Sequence, residues 1–174
     1  MVDAVDGISN VEQLSAQQLG GVKLHPDGRS NIPTLHELLD AVRSGLGDRE
    51  LWVELKYPSS IERAQTLVRK VLEILTSDSL WPNVWFISFS CGLLSAVRHR
   101  QPDARVIFLG RARFFQAISL ADRACFDGVG LFHHFARWPV PSMVHRSRLR
   151  LIVGTANHAS EISRLIDAGV DAIS

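Results

Sequence analysis

Short apolar runs rich in β-branched and aromatic residues alternate along the chain with segments whose apolar positions recur at helical spacing. That is the pattern of repeated βα units, and a parallel sheet follows from it. Strands are expected at Leu51 to Lys56 (LWVELK), Val84 to Phe89 (VWFISF), Arg105 to Leu109 (RVIFL), Gly128 to Phe132 (GVGLF) and Leu149 to Thr155 (LRLIVGT), with a weaker one at Val170 to Ser174. Between them, Thr34 and Glu37 form a T-x-x-E capping box just after Pro33, and the stripe Leu35, Leu38, Leu39, Val42 continues a helix that Gly45 should stop. Ser59 with Glu62 repeats the device ahead of a long stripe from Ile61 through Ala64, Val68 and Leu72 to Leu75. A helix around Leu93, Leu94 and Val97 must end near Gln101, because Pro102 disfavours helical geometry before it. The last carries Ile162, Leu165 and Ile166 and ends at Gly169; the stretches around Phe114 to Leu120 and Pro141 to His145 stay open.

Length turns this pattern into arithmetic. An eight-unit βα barrel takes about 250 residues, or roughly 31 per unit, so the 174 residues here amount to about 5.6 units. One domain spanning residues 1–174 is expected, long enough for most of a barrel and short of a closed one. Hydrophobic residues at 46% and charged residues at 21% exclude a disordered chain. No apolar run approaches the roughly 18 residues of a membrane span, so no integral membrane segment is expected. The start MVDAVDGISN has no basic or apolar leader region, and a cytoplasmic location is the expectation.

Charge is nearly balanced at +1, so no overall field recruits nucleic acid or an anionic membrane. Its distribution is uneven, since residues 98–164 hold eleven Arg against four acidic residues. Solvated helix faces account for this most simply, with an anion-attracting surface as the alternative. Cys91 and Cys125 lack metal-ligand spacing and read as reduced thiols.

The segment that carries chemistry is Trp52-Val53-Glu54-Leu55-Lys56. Strand alternation puts Trp52, Glu54 and Lys56 on one face and Val53 and Leu55 on the other. In a βα barrel the apolar pair packs under helices, and Glu54 and Lys56 point into the mouth where active sites lie. A carboxylate beside an ammonium there suits a hard cation and an anionic group such as phosphate. A plain salt bridge on a half-exposed strand is the alternative. Ser88 and Ser90 lack the G-x-S-x-G elbow of a nucleophile, and no P-loop or G-x-G-x-x-G motif is present. The glycines of GVGLF read as small residues facing a crowded interior.

LWVELK, with IPTLHELLDAV before it and ISFSCGLLSAVRHRQP after it, resembles the glycerophosphodiester phosphodiesterase family. In that family a proline-threonine-leucine helix start precedes an E-x-K strand, and a later strand ends in Ser-Phe before a helix closing near a proline. The matching residues are Pro33, Thr34, Leu35 and Glu37, then Glu54 and Lys56, then Ser88, Phe89 and Pro102. The opening DGISNVEQLSAQQL is similar to the family's glycine-containing insertion and short helix. The closing GTANHASEISRLIDAGVDAIS is similar to its W-T-V-N segment, helix and G-V-D-x-I strand, at Thr155, Asn157, Gly169, Val170, Asp171 and Ile173.

The resemblance implies an α/β fold, a partial (β/α) TIM-type barrel of parallel strands that lacks its first strands. It implies hydrolysis of small glycerophosphodiesters to glycerol 3-phosphate and an alcohol with a divalent cation, calcium or magnesium. Glu54 matches a metal-ligand glutamate and Lys56 a phosphate-facing catalytic lysine. The family's two catalytic histidines, in H-R-G and H-D segments, and the acidic ligands of its E-x-D strand have no counterpart after Met1, and Gly154 stands where the family has a pocket-lining tryptophan. The expectations are therefore weak ion binding, negligible turnover by this chain alone, and self-association through an exposed edge of the LWVELK strand. Asp127 and Asp171 are the first further ligands to consider if ion binding is tight. Of His25, His36, His99, His133, His134, His145 and His158, the pair His133 and His134 follows the GVGLF strand and is the candidate for substrate contact; His36 and His99 should be exposed on helices, and His158 should serve near a helix cap. A non-catalytic remnant that binds an anionic ligand or a partner through its Arg-rich half is the alternative function.

Overall fold

The computed structural model describes residues 11–22, 31–111 and 113–174; the opening DGISN and His25 lie outside them. A turn of 3-10 helix at Val11–Gln13 and helix α1 (Ala16–Gly21) lead to α2 (Leu35–Leu46). Then come β1 (Leu51–Glu54), α3 (Ile61–Thr76), β2 (Val84–Ser88), α4 (Cys91–Arg100), β3 (Arg105–Leu109) and α5 (Phe114–Arg123). The chain finishes with β4 (Gly128–Phe132), α6 (Val140–Arg146), β5 (Arg150–Gly154), α7 (Ala159–Asp167) and β6 (Ala172–Ile173). All six strands run parallel in sequence order, and each pairs with the next in the chain. They form a curled half-barrel with helices outside; the parallel order is what the alternation of periods implied, and the partial barrel is what the resemblance implied.

Local chemistry explains most boundaries. Thr34 caps α2 with both bonds of a capping box: Glu37 N–H donates to Thr34 Oγ1 at 3.3 Å, and Thr34 N–H donates to Glu37 Oε2 at 2.7 Å. The helix runs through Gly45 and stops at Gly47, whose φ of 53° only glycine adopts cheaply. Ser60 rather than Ser59 caps α3, accepting from Arg63 N–H at 3.2 Å; Ser59 N–H instead donates to Glu12 Oε1 at 2.7 Å. Strands β1, β2, β5 and β6 are each shorter than their apolar runs suggest, because the terminal residues of those runs turn toward the following or preceding loop. The two open stretches are both helical, anchored by buried Ala117, Ile118 and Ala121 in α5 and by Val140 and Val144 in α6.

Strand alternation divides the sheet into two apolar faces. Outward residues such as Phe86, Val106, Val129 and Leu151 join Leu39, Val68, Leu72, Leu75, Leu94 and Leu165 from the helices in the main core. Each such side chain contributes about 1.5–3 kcal/mol by leaving water. Inward residues form a second, smaller cluster of Trp85, Ile107 and Ile152, with Trp52, Ile87, Leu109 and Ala172 against it. The first two inward positions of β4 are glycines, and the crowding that GVGLF suggested is real: a Cβ on Gly130 would lie 2.4 Å from Leu109 Cδ2 and 3.1 Å from Ile152 Cγ1. At Gly128 the obstacle is backbone, with Arg150 O 2.7 Å from where a Cβ would stand. A carbonyl fixed in the β4–β5 ladder cannot rotate aside, so Gly128→Ala is expected to cost about 1–3 kcal/mol. The midpoint of urea unfolding measures it, and an unchanged midpoint would show that the sheet relaxes there.

Candidate functional site

Because every strand is parallel, the C-terminal ends of all six open on one end of the half-barrel. There the concave face holds a cavity of about 210 Å³. Trp52, Ile87, Leu109 and Ile152 make its apolar floor, and Glu54, Phe89, Phe132, Gly154, Thr155 and Ser174 its mouth. Among the described residues Glu54 is the one charged side chain lining it. Lys56 lies beyond the end of β1 and folds back, its Nζ donating to Glu54 Oε1 at 2.6 Å. The Lys56 side chain is 78% exposed and that of Glu54 30%, so the ammonium is the half of the pair free to turn toward an entering anion. A Cβ on Gly154 would meet Ser174 Oγ at 2.1 Å; these two small residues shape the wall where the sequence resemblance places a tryptophan.

The histidine pair sits elsewhere. His133 and His134 follow β4 in a 3-10 turn, and neither lines the cavity. His133 Nε2 faces Glu161 Oε1 at 3.1 Å, while Arg164 donates to the His133 and Ala136 carbonyls, so α7 holds this loop. His134 is exposed and stacks on Phe132 at 5.9 Å between ring centroids. His36 and His99 are exposed on helices as expected, and His158 stands at the N-cap of α7 but makes no capping hydrogen bond.

Asp127 and Asp171 are at the opposite end of the barrel and cannot join Glu54. Asp127 Oδ2 accepts from Val106 N–H at 2.7 Å and pairs with Arg98; Asp171 Oδ2 accepts from Leu151 N–H at 2.7 Å and faces His145 Nε2 at 2.9 Å. Each aspartate precedes a strand and ties it to the first N–H groups of its neighbour. Among the described residues no three His, Cys, Asp or Glu side chains come together. A hard cation that takes six or more oxygens finds one carboxylate at the mouth, with one oxygen already bonded to Lys56, so these residues do not fit a complete divalent-ion site. Ser88, buried to 1% exposure, donates to Leu55 O at 2.6 Å and accepts from Ser90 N–H, a structural role that agrees with its rejection as a nucleophile. Both cysteines are free.

A network that the sequence did not announce closes the N-terminal end of the concave face. Arg150 Nη1 donates to Glu50 Oε1 at 2.5 Å, Trp52 Nε1 donates to Glu50 Oε2 at 3.0 Å, and the guanidiniums of Arg105 and Arg150 lie over the Trp85 ring at 4.8 and 4.6 Å. The register Trp52↔Trp85↔Arg105 was its only sequence signal. Of the Arg-rich half, Arg98, Arg105, Arg150 and Arg164 are all committed to internal partners.

This architecture matches solved structures. A glycerophosphodiester phosphodiesterase from Parabacteroides distasonis superposes with a TM-score of 0.78 at 20% identity, over 92% of this chain and 66% of its own. A phosphodiesterase from Oleispira antarctica, solved in complex with the product sn-glycerol-3-phosphate, superposes with a TM-score of 0.82 at 19% identity, over 97% of this chain and 69% of its own. The fold is that of the glycerophosphodiester phosphodiesterases. This chain spans about two thirds of the length of those two proteins. No protein-family model and no curated protein matches its sequence. In the glycerophosphodiester phosphodiesterase fold as this chain builds it, Glu54 lines the mouth with Lys56 folded back onto it, and the Glu50 network lies beyond the apolar floor at the N-terminal end of the concave face.

Burial alone would raise the Glu50 carboxyl, and the hydrogen bonds from Arg150 and Trp52 outweigh it, holding the group below the usual glutamate range. A depressed folded-state pKa means that Glu50 contributes stability above its ordinary value and loses it as pH falls through the lowered one. Glu50→Gln is therefore expected to lower stability at neutral pH and to flatten the acid limb of the stability profile. Urea midpoints across that acid range test this; parallel profiles for the two proteins would refute it.

Proposed function

We propose that the mouth is the phosphate-holding part of a glycerophosphodiester phosphodiesterase site, and that the chain is a member of that family. The observation that carries this reading is the placement of Glu54 and Lys56 at the C-terminal end of the first strand. A matching structure of the same fold holds sn-glycerol-3-phosphate. Lys56 supplies charge to a phosphate oxygen, and the apolar floor below it suits the carbon skeleton of glycerol. Hydrolysis also needs an activated nucleophile and a proton donor for the leaving alcohol, and general acid–base assistance is worth about 10² to 10⁴-fold. Among the described residues no histidine lines the cavity, and one carboxylate is too few for a calcium or magnesium site. These two facts support a chain that binds the phosphate moiety, binds divalent ions weakly, and by itself turns over negligibly.

The test has a binding arm and a turnover arm. Isothermal titration of sn-glycerol-3-phosphate is expected to show binding that Lys56→Met weakens about tenfold, the effect of losing one charge-assisted contact. No binding, or binding indifferent to Lys56, would overturn the site assignment. Release of glycerol 3-phosphate from glycerophosphocholine, with and without calcium or magnesium, is expected to stay near background. Robust ion-dependent release would overturn the assignment of negligible turnover, and His133 and His134 would be the first residues to substitute.

Self-association belongs to the same proposal. Among the described residues no strand lies outside β1 or β6, and an edge strand offers N–H and C=O groups to a second chain. Sedimentation velocity is expected to show species larger than one chain as concentration rises; a monomer throughout would refute it.

A further inference from the structure

The loops at the two ends of the half-barrel differ in charge and in exposed aromatic surface, and the difference runs in one direction. The five loops that leave the C-terminal ends of β1 to β5 contain Lys56, Arg111, Arg113 and Arg137, all exposed, and no aspartate or glutamate. The six loops that enter the N-terminal ends hold Asp48, Glu50, Asp78, Asp103, Asp127 and Asp171 against only Arg49 and Arg148. The aromatics follow the cations. Every aromatic side chain that is substantially exposed lies at the cationic end: Tyr57 at 56%, Phe89 at 38%, Phe115 at 58%, Phe132 at 42% and Trp138 at 86%. Of the aromatics at the acidic end, Trp81 is half-buried and Phe126 buried. Helix N-termini add partial positive charge on the same side, since α3, α4, α5 and α7 all begin there.

A pocket wall explains only part of this. Phe89 and Phe132 face the cavity, but Tyr57, Phe115 and Trp138 stand outside it on three different loops or helix starts. Trp138 is the most exposed of the five, and with Tyr57, Phe89, Phe115 and Phe132 it makes the mouth rim the aromatic end of the half-barrel. Arg111 is held with its guanidinium 4.8 Å from the Phe89 ring centroid, so one rim element presents a cation and an apolar face together. Aromatic rings interleaved with lysine and arginine are the chemistry that seats a protein at the boundary between lipid headgroups and acyl chains: rings partition to the boundary and cations meet anionic headgroups.

We propose that the mouth rim docks on an anionic lipid surface, with Trp138 as its deepest anchor and Arg111 and Arg113 meeting the headgroup phosphates. The acidic end is repelled by the same surface, and this fixes the orientation. Docked in this way, the cavity of Glu54 faces the lipid, and a phosphodiester carried on a lipid reaches it without leaving the surface. The docking needs only the rim and does not rest on hydrolysis.

The experiment is co-sedimentation of the full chain with vesicles of phosphatidylcholine, with and without phosphatidylserine. Binding is expected on the anionic vesicles, about tenfold weaker on phosphatidylcholine alone, and falling as salt rises. Trp138→Ala is expected to weaken it about tenfold, and Arg111→Gln with Arg113→Gln to do the same while flattening the salt dependence. Ile166→Ser, at an exposed apolar residue 63% accessible on the far end of α7, is expected to leave binding unchanged. Circular dichroism confirms that each variant is folded. A folded chain that binds no anionic vesicle overturns the proposal, as does binding that survives both rim variants. A dimer that Trp138→Ala dissolves, without vesicle binding, overturns it in favour of a second copy of the chain. Because the readout is binding, the result stands whether or not glycerophosphocholine is hydrolysed.

Discussion

The ion pair between Glu50 and Arg150 joins residues a hundred positions apart and decides the shape of the sheet. Glu50 immediately precedes β1, Arg150 opens β5, and four strand spacings separate those strands along the sheet. In a flat sheet the separation would be about 19 Å at roughly 4.8 Å per spacing, beyond the reach of the two side chains. Their contact therefore requires the sheet to curl until its first and fifth strands face each other. Arg105 and Arg150 stack on Trp85, so the partly exposed pair has an aromatic surface beneath it. Ion pairs left about a third exposed are weak sources of stability, and this one is better understood as fixing geometry.

Curling at this radius places inward side chains of alternate strands in contact, which is why the first two inward positions of β4 are glycines and only Phe132, at its mouth end, carries an inward side chain. With glycine at 128 and 130, Leu109 of β3 and Ile152 of β5 meet over the middle of the sheet. The same curl draws the C-terminal ends together, so residues from β1, the ends of β2 and β4, and the end of the chain line one cavity rather than a row along an open edge. Site and fold are linked through the concave face, and a change that flattens the floor separates Glu54 from Phe132 and Ser174.

Alternation and caps made much of this legible in the sequence, because both are local. LWVELK declared its two faces, and the structure puts Val53 and Leu55 with the helices and Glu54 in the mouth. Thr34 and Glu37 declared a helix start, and both bonds form. Where two equivalent residues competed, sequence could not choose: Ser60 and Gly47 took the roles assigned to Ser59 and Gly45, because backbone angles and the contact with Glu12 decide them. Asp127 and Asp171 look like free carboxylates in a string of letters and prove to be strand ties, since their partners are backbone N–H groups some 20 residues away. The Glu50 network spans too much sequence for periodicity to register it.

The division of charge between the ends follows from these roles. Carboxylates at the N-terminal end are consumed in holding strands together: Asp127 and Asp171 accept N–H groups, and Glu50 accepts Arg150 and Trp52. At the mouth, where each strand turns outward into its helix, the loops carry no carboxylate, and Ser88 on the Leu55 carbonyl and Arg164 on the His133 and Ala136 carbonyls tie the chain instead. An incoming anion therefore competes with Glu54 for the Lys56 ammonium. An exposed pair of this kind is worth about 0–1 kcal/mol in water. A phosphate with two charged oxygens offers the ammonium a stronger partner than a single carboxylate oxygen, so the pair is poised to exchange rather than to resist. The carboxylate ties between strands gather at one end of the half-barrel, and the other end is cationic, aromatic and open.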